Sequence, residues 1–162
     1  MKKVTALVTI FSFILLAPSA GILHAEPNSG AALTIGQTHN ASFSGQSVEF
    51  DYQNPFSDMA SWNTFFQYGE EKDEFNVRVS RAYYGFGVRF WGAETLFLGM
   101  RTGFYRLSIN DGVASSTTFI NRFTSGVMFG VETEGGLIIR FDNTQFGAMA
   151  NQARLGAGFR FH

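Results

Sequence analysis

Few side chains in this sequence have the chemistry to attack a substrate, accept a proton or hold a metal. There are three histidines, His24, His39 and His162, and no cysteine. Glu49 and Asp51 form a carboxylate pair at i, i+2, which a β-strand places on one face. Arg140 and Asp142, followed by Asn143, repeat that spacing. Two carboxylates on one face can divide acid and base work. The competing role is to neutralise arginines pointing the same way, since a desolvated unpaired charge is costly. The absence of cysteine excludes a thiolate metal site, a cysteine nucleophile and a disulfide framework. The run Glu70-Glu71-Lys72-Asp73-Glu74 reads as a solvated loop tip and lacks the ligand spacing of a calcium loop. Gly85-Phe86-Gly87 is not followed by a helix pattern and is no nucleotide fingerprint. Asn40-Ala41-Ser42 fits a glycosylation pattern and nothing else. These residues assemble no catalytic set and no metal set, and no cofactor is expected.

What must position these groups is legible from composition. Among 162 residues only 15% are charged, while 16% are aromatic, with 19 Phe and 18 Gly. Ordinary soluble domains carry about 25% charged residues. So many large apolar groups exclude a disordered tail. A formal net charge of −1 leaves no electrostatic footprint for nucleic acid. Lys2 and Lys3 precede an uncharged, mostly apolar run from Val4 to Ala17, broken by Pro18-Ser19-Ala20. Leu23-His24-Ala25 then offers a cleavage site. This is the layout of a bacterial secretory signal peptide, predicting a leader at 1–25 and a mature domain at 26–162.

The mature chain alternates with period two, the mark of strands with two different faces. Val48, Phe50 and Tyr52 oppose Glu49 and Asp51, and Trp62, Phe66 and Tyr68 oppose Asn63 and Gln67. Tyr84, Phe86, Val88 and Phe90 oppose Gly85, Gly87 and Arg89; Leu98, Met100 and Phe104 oppose Gly99, Arg101 and Gly103. The pattern continues through Phe119 to Val131, Leu137 to Asp142 and Arg154 to Phe161, and a weaker strand spans Ala32 to Thr38. Parity changes near Arg81 to Tyr83, which predicts either one strand with a bulge in the segment 75–91 or two short strands.

The polar face is Arg and Gly, and glycine packs nothing against water. Inside a narrow barrel it makes room for long side chains opposite. The expectation is an all-β fold, a closed antiparallel eight-stranded transmembrane β-barrel. Its interior polar network would comprise Glu49, Asp51, Arg89, Arg101, Arg122, Arg140, Asp142, Arg154 and Arg160. The apolar face would meet lipid, where only helices or closed barrels satisfy the backbone. Tyr52, Trp62, Tyr68, Tyr83, Tyr84, Trp91 and Tyr105 would form aromatic girdles. Outward loops are predicted at 39–46, 70–74, 108–117 and 144–152. Inward turns are predicted at 54–60, which is long, and at 92–94 and 132–136. In this arrangement His39 lies about 10 Å from Asp142, two strand spacings, too far to activate anything there. Eight strands leave an interior only wide enough for side chains, which disfavours a pore.

Leu155, Ala157, Phe159 and Phe161 resemble the terminal signal of barrels inserted by the outer-membrane barrel assembly machinery, although His162 follows the last aromatic. The order of segments, above all Phe119 to Phe161, resembles the PagL family of lipid A 3-O-deacylases. That resemblance implies an eight-stranded barrel in the Gram-negative outer membrane, among its lipids and lipopolysaccharide. It also implies a His-x-Ser-Asn motif in the seventh strand, with a glutamate in the last. At the matching positions stand Arg140, Asp142 and Asn143, and Ala153 to His162 contains no acid. The expectation is therefore a non-enzymatic barrel with a structural or loop-mediated role. The alternative is a lipid A-modifying hydrolase with an altered site.

Overall fold

The computed structural model describes residues 29–40, 43–72, 77–92, 95–110, 118–145 and 151–161. The predicted leader and cleavage site, His24 and His162 lie outside them. Eight strands follow in order: β1 (Gly30–His39), β2 (Ser44–Ser57), β3 (Ala60–Lys72), β4 (Arg78–Trp91), β5 (Leu96–Asn110), β6 (Thr118–Glu132), β7 (Leu137–Gln145) and β8 (Asn151–Phe161). Each pairs antiparallel with its neighbours, and β1 closes on β8 from Ala31↔Phe161 to His39↔Ala153. Closure removes every sheet edge within the paired region.

The alternation sorts side chains as lipid requires. Ile35, Phe86, Met100, Phe123 and Leu155 are each more than 60% exposed on the outer surface. They belong to a belt of large apolar side chains contributed by all eight strands. A belt of this size on a closed barrel is a membrane-spanning surface, far beyond what a soluble monomer shows.

Inward glycines make the space expected of them. A Cβ on Gly156 would lie 2.8 Å from Arg154 Nη1, and one on Gly36 2.8 Å from Arg154 Nε. Gly136 has φ +80° in the β6–β7 turn, where an L side chain would be strained.

Several details differ from expectation. The register of β4 with both neighbours is continuous, so there is no bulge near Arg81. The apparent parity change arises because Val79 and Tyr83 are apolar residues facing inward, each 2% exposed. The first turn is short: β2 runs on to Ser57, leaving Asp58-Met59 before β3. Pro55 is tolerated near the strand end, where the register shifts between Pro55 and Ser57. Strands also run further into the predicted loops. β3 continues to Lys72 and β5 to Asn110, while β2 begins at Ser44. The two ends of the barrel differ accordingly. The terminal end carries the starts of β1 and ends of β8, with three short turns, and the loop end carries the other connections. There β2 to β6 are 13 to 15 residues long, and β7 only 9.

Candidate functional site

The polar faces of six strands meet in the middle of the bore. Glu49 and Asp51 come from β2, Arg89 from β4, Arg101 from β5, Arg140 and Asp142 from β7, and Arg154 and Arg160 from β8, all buried. β6 adds Glu132, 1% exposed, which sequence reasoning assigned to a turn. Five guanidinium groups therefore face four carboxylates in one enclosed volume.

Each charge has several partners. Glu49 bonds Arg140 and accepts from Arg101 Nη1 at 2.9 Å, with Arg154 Nη1 at 3.7 Å. Arg140 Nε donates to Asp142 Oδ2 at 3.1 Å and lies 2.9 Å from Oδ1, the i, i+2 contact that strand geometry offers. Arg154 bridges Asp142 Oδ2 at 3.1 Å, Ser47 Oγ at 2.8 Å and Thr34 Oγ1 at 2.8 Å. Arg160 Nε donates to Glu132 Oε1 at 2.6 Å, and its Nη2 lies 3.4 Å from Asp51 Oδ1. Arg89 bonds Asp51 and Gln53. Pairing with further hydrogen bonds is what lets buried charges persist.

Apolar layers lie on both sides of this network. Towards the terminal end, Trp91, Phe97 and Met128 pack together, with the Arg89 guanidinium 5.1 Å from the Phe97 ring centroid. Towards the loop end, Phe65, Tyr83 and Tyr105 cluster with Leu107. The Arg101 guanidinium stands 5.1 Å from the Phe65 ring and 5.0 Å from that of Tyr83, in cation–π contact with both. Beyond them Glu71 pairs with Arg81 at 2.9 Å and accepts from Gln152.

This geometry revises three expectations. Arg122 is exposed, although its parity is inward. Among the described residues β7 pairs with β6 as far as Ser125↔Gln145, and no described residue of β7 stands beside Arg122. Tyr83, Trp91 and Tyr105 lie inside the bore rather than in a girdle, whereas Tyr52, Trp62, Tyr68 and Tyr84 face outward. Glu71 is buried rather than at a solvated loop tip, because β3 continues its inward series Asn63, Phe65, Gln67, Gly69 to that position. Extending that parity by one step, and that of β6 to Glu132, was the signal available for both acids.

The arrangement offers little to a reaction. Asp142 is engaged by Arg140 and Arg154. His39 is exposed on the outer face of β1, the opposite side of the wall from Asp142. Among the described residues, no three His, Asp or Glu side chains gather as a metal site would require.

No family model and no curated protein sequence matches the chain. Solved structures share its architecture at low identity. Neisserial surface protein A superposes with a TM-score of 0.66 at 15% identity, over 81% of this chain and 96% of that one. Ail, the attachment invasion locus protein of Yersinia pestis, gives 0.59 at 14%, over 84% and 99%. The N-terminal β-barrel domain of Pseudomonas aeruginosa OprF gives 0.57 at 16%, over 83% and 98%. The fold is thus that of small eight-stranded outer-membrane β-barrels.

Proposed function

We propose that this chain is a non-enzymatic Gram-negative outer-membrane protein whose barrel is a structural support and whose loops make its contacts. The observation that carries this reading is the filled bore. The interior charges are committed to one another, and apolar layers lie on either side of them. Such an interior supports a rigid anchor rather than a channel. Neighbours of the same fold include an attachment protein, Ail, which has also been crystallised with the heparin analogue sucrose octasulfate; this supports a loop-mediated role. In this reading residues 1–25 are a leader removed after Ala25, and the assembly machinery inserts residues 26–162.

The PagL-like strand order and Asn143 support a second reading, lipid A 3-O-deacylation with an altered site. Arg140 at the position of the motif's histidine weighs against it, since a guanidinium stays protonated and accepts no proton as a histidine base would. Asp142 could attack as a carboxylate but would lack a base for the hydrolytic water. Mass spectrometry of lipid A from cells with and without the protein decides between them. Unchanged acylation is expected. Loss of one hydroxyacyl chain, restored to the lipid by Asp142→Ala, would establish the hydrolase.

A further inference from the structure

The outer wall is not the same all the way round. On β4 to β6 the rings of Tyr84, Phe104 and Phe123 carry the apolar belt towards the loop end, with the Phe104 ring 6.2 Å from Tyr84 and 5.3 Å from Phe123. On β7, β8, β1 and β2 the same outward series turns to neutral amides. Towards the loop end Phe141 is followed by Asn143 and Gln145, Leu155 by Ala153 and Asn151, Ile35 by Gln37, and Val48 by Gln46. Register makes these one surface: Gln145 pairs with Asn151, Asn143 with Ala153, Leu155 with Gln37, and Gln37 with Gln46. No Lys, Arg, Asp or Glu is exposed on the described parts of these four strands. The side chains of Gln37, Gln46, Asn143, Gln145 and Asn151 take part in no hydrogen bond among the described residues.

The amides begin below the top of the belt. Asn143 pairs with Val127 on β6, and Phe123 lies four residues beyond Val127 on the same outer face. Four residues are about 13 Å of strand, and a tilt of about 40° returns only about 4 Å across one strand spacing. Asn143 therefore stands deeper in the bilayer than the Phe123 ring. Gln37 stands level with it. The line of pairs that leaves Leu137 on β7 through Phe159 and Leu33 reaches Phe123 on β6, so it climbs towards the loop end as it goes round. From Phe141 through Leu155 to Gln37 that line rises about 6 Å, close to the rise of the two residues from Phe141 to Asn143. An amide facing hydrocarbon without a partner is costly.

A second copy in the same membrane supplies such partners. Both copies are inserted in one sense, so a two-fold axis between them runs along the membrane normal, and each height meets the same height. On the wall that ends in Lys72 and Arg78, which stand directly opposite each other, this brings like charges together. On the amide wall every group both donates and accepts, so each is its own complement. We propose that the loop-end half of the β7–β8–β1 wall is an isologous interface between two copies of this chain, Gln37 of each copy meeting Asn143 of the other. The proposal rests on the membrane-spanning reading and names a protein, not lipid, as what covers this wall.

The chain has no cysteine, so introduced ones report contacts without background. Full barrels carrying Ala157→Cys, Gln37→Cys, Asn143→Cys or Phe86→Cys are folded in dilute phosphatidylcholine vesicles and oxidised. Ala157 lies on β8 between Ile139 and Ile35, close to the proposed axis, and its variant cross-links to itself. Phe86, 66% exposed on β4, gives a variant that does not. Gln37→Cys mixed with Asn143→Cys cross-links more than either alone. Adding Gln37→Leu and Asn143→Leu to Ala157→Cys removes both amide pairs while suiting a lipid-facing wall, and lowers the cross-linked fraction about tenfold. Cross-linking at Ala157→Cys no greater than at Phe86→Cys, or undiminished by the two leucines, overturns the proposal. A monomeric barrel that retains added lipopolysaccharide and loses it with the two leucines also overturns it, because lipid would then be the occupant. Loss of heat-modifiable migration in the wild type would instead sink the membrane-barrel reading, so the two failures are distinguishable.

Discussion

The middle of the bore and its loop-end layer are built on opposite chemistries, and they depend on different stages of assembly. In the middle, partners come from opposite ends of the sequence: Glu49 with Arg140, Asp51 with Arg160, and Thr34 with Arg154, separated by 91, 109 and 120 residues. In the loop-end layer, Phe65, Tyr83 and Tyr105 sit on consecutive strands β3, β4 and β5. The aromatic layer can form as soon as three neighbouring strands pair. Much of the ionic layer forms only when β2 meets β7 and β8 across a closed bore. Its contacts therefore stabilise closure itself, whereas the rings stabilise part of the wall. Loop-closure entropy makes such long-range contacts the late ones.

The largest effect is expected where one acid serves several guanidinium groups. Glu49→Gln removes the counter-charge shared by Arg101, Arg140 and Arg154. Breaking a buried pair in this way costs about 3–5 kcal/mol. Urea titration of the refolded barrel in vesicles should show that loss, together with a weakened heat-modifiable gel shift. A wild-type midpoint would mean that the ionic layer is not what holds the barrel closed.

Next comes the same charge moved through the wall. Phe129, 53% exposed, packs its ring 5.1 Å from Phe141 on the outer surface. Phe129→Arg should cost about 2–4 kcal/mol near the midplane. The arginines tolerated inside would then be seen to depend on their carboxylates and not on any general tolerance of the barrel for charge. Normal assembly of this variant would invert the assignment of the faces.

How much of this was legible in the sequence divides along the same line. Alternation is local, so the closed eight-stranded barrel and the inward Arg and Gly faces followed from short windows such as Phe86 to Phe90. What a given interior level contains is not local. Tyr83 and Tyr105 looked like girdle residues because an aromatic facing lipid and one facing the bore have the same spacing. Only the register Tyr83↔Tyr105, next to Phe65, shows that they complete an interior layer. Glu71 and Glu132 read as loop and turn residues because strand ends carry no sharp polarity signal, and each finds its partner on another strand. Arg122 reads as internal from parity alone, which says nothing of whether the bore encloses its level.

A smaller change tests the aromatic layer. Tyr83→Phe keeps the ring that stands 4.7 Å from Phe65 and the cation–π contact with Arg101, and removes only the hydroxyl. A loss of at most about 1 kcal/mol is expected in the same urea titration. A loss as large as that of Glu49→Gln would show that this layer, too, depends on a polar contact, and the contrast between the two regions would fail.

The smallest effect is expected at the one arginine of the predicted interior set that the bore does not enclose. Arg122 has the inward parity of Thr124 and Met128, yet it is exposed while they are buried. Its level lies beyond Ser125↔Gln145, the last β6–β7 pair among the described residues. An exposed guanidinium keeps its hydration, so removing it leaves no buried acid unpaired. Arg122→Gln should therefore change stability by less than about 0.5 kcal/mol. Arg140→Gln is the informative partner, because it strips a buried contact from Glu49 and Asp142 together. Measured side by side, the two variants separate parity from enclosure. If Arg122→Gln proved as damaging as Arg140→Gln, Arg122 would have to be enclosed as well, and the level at which the bore opens at the loop end would have to be moved outward.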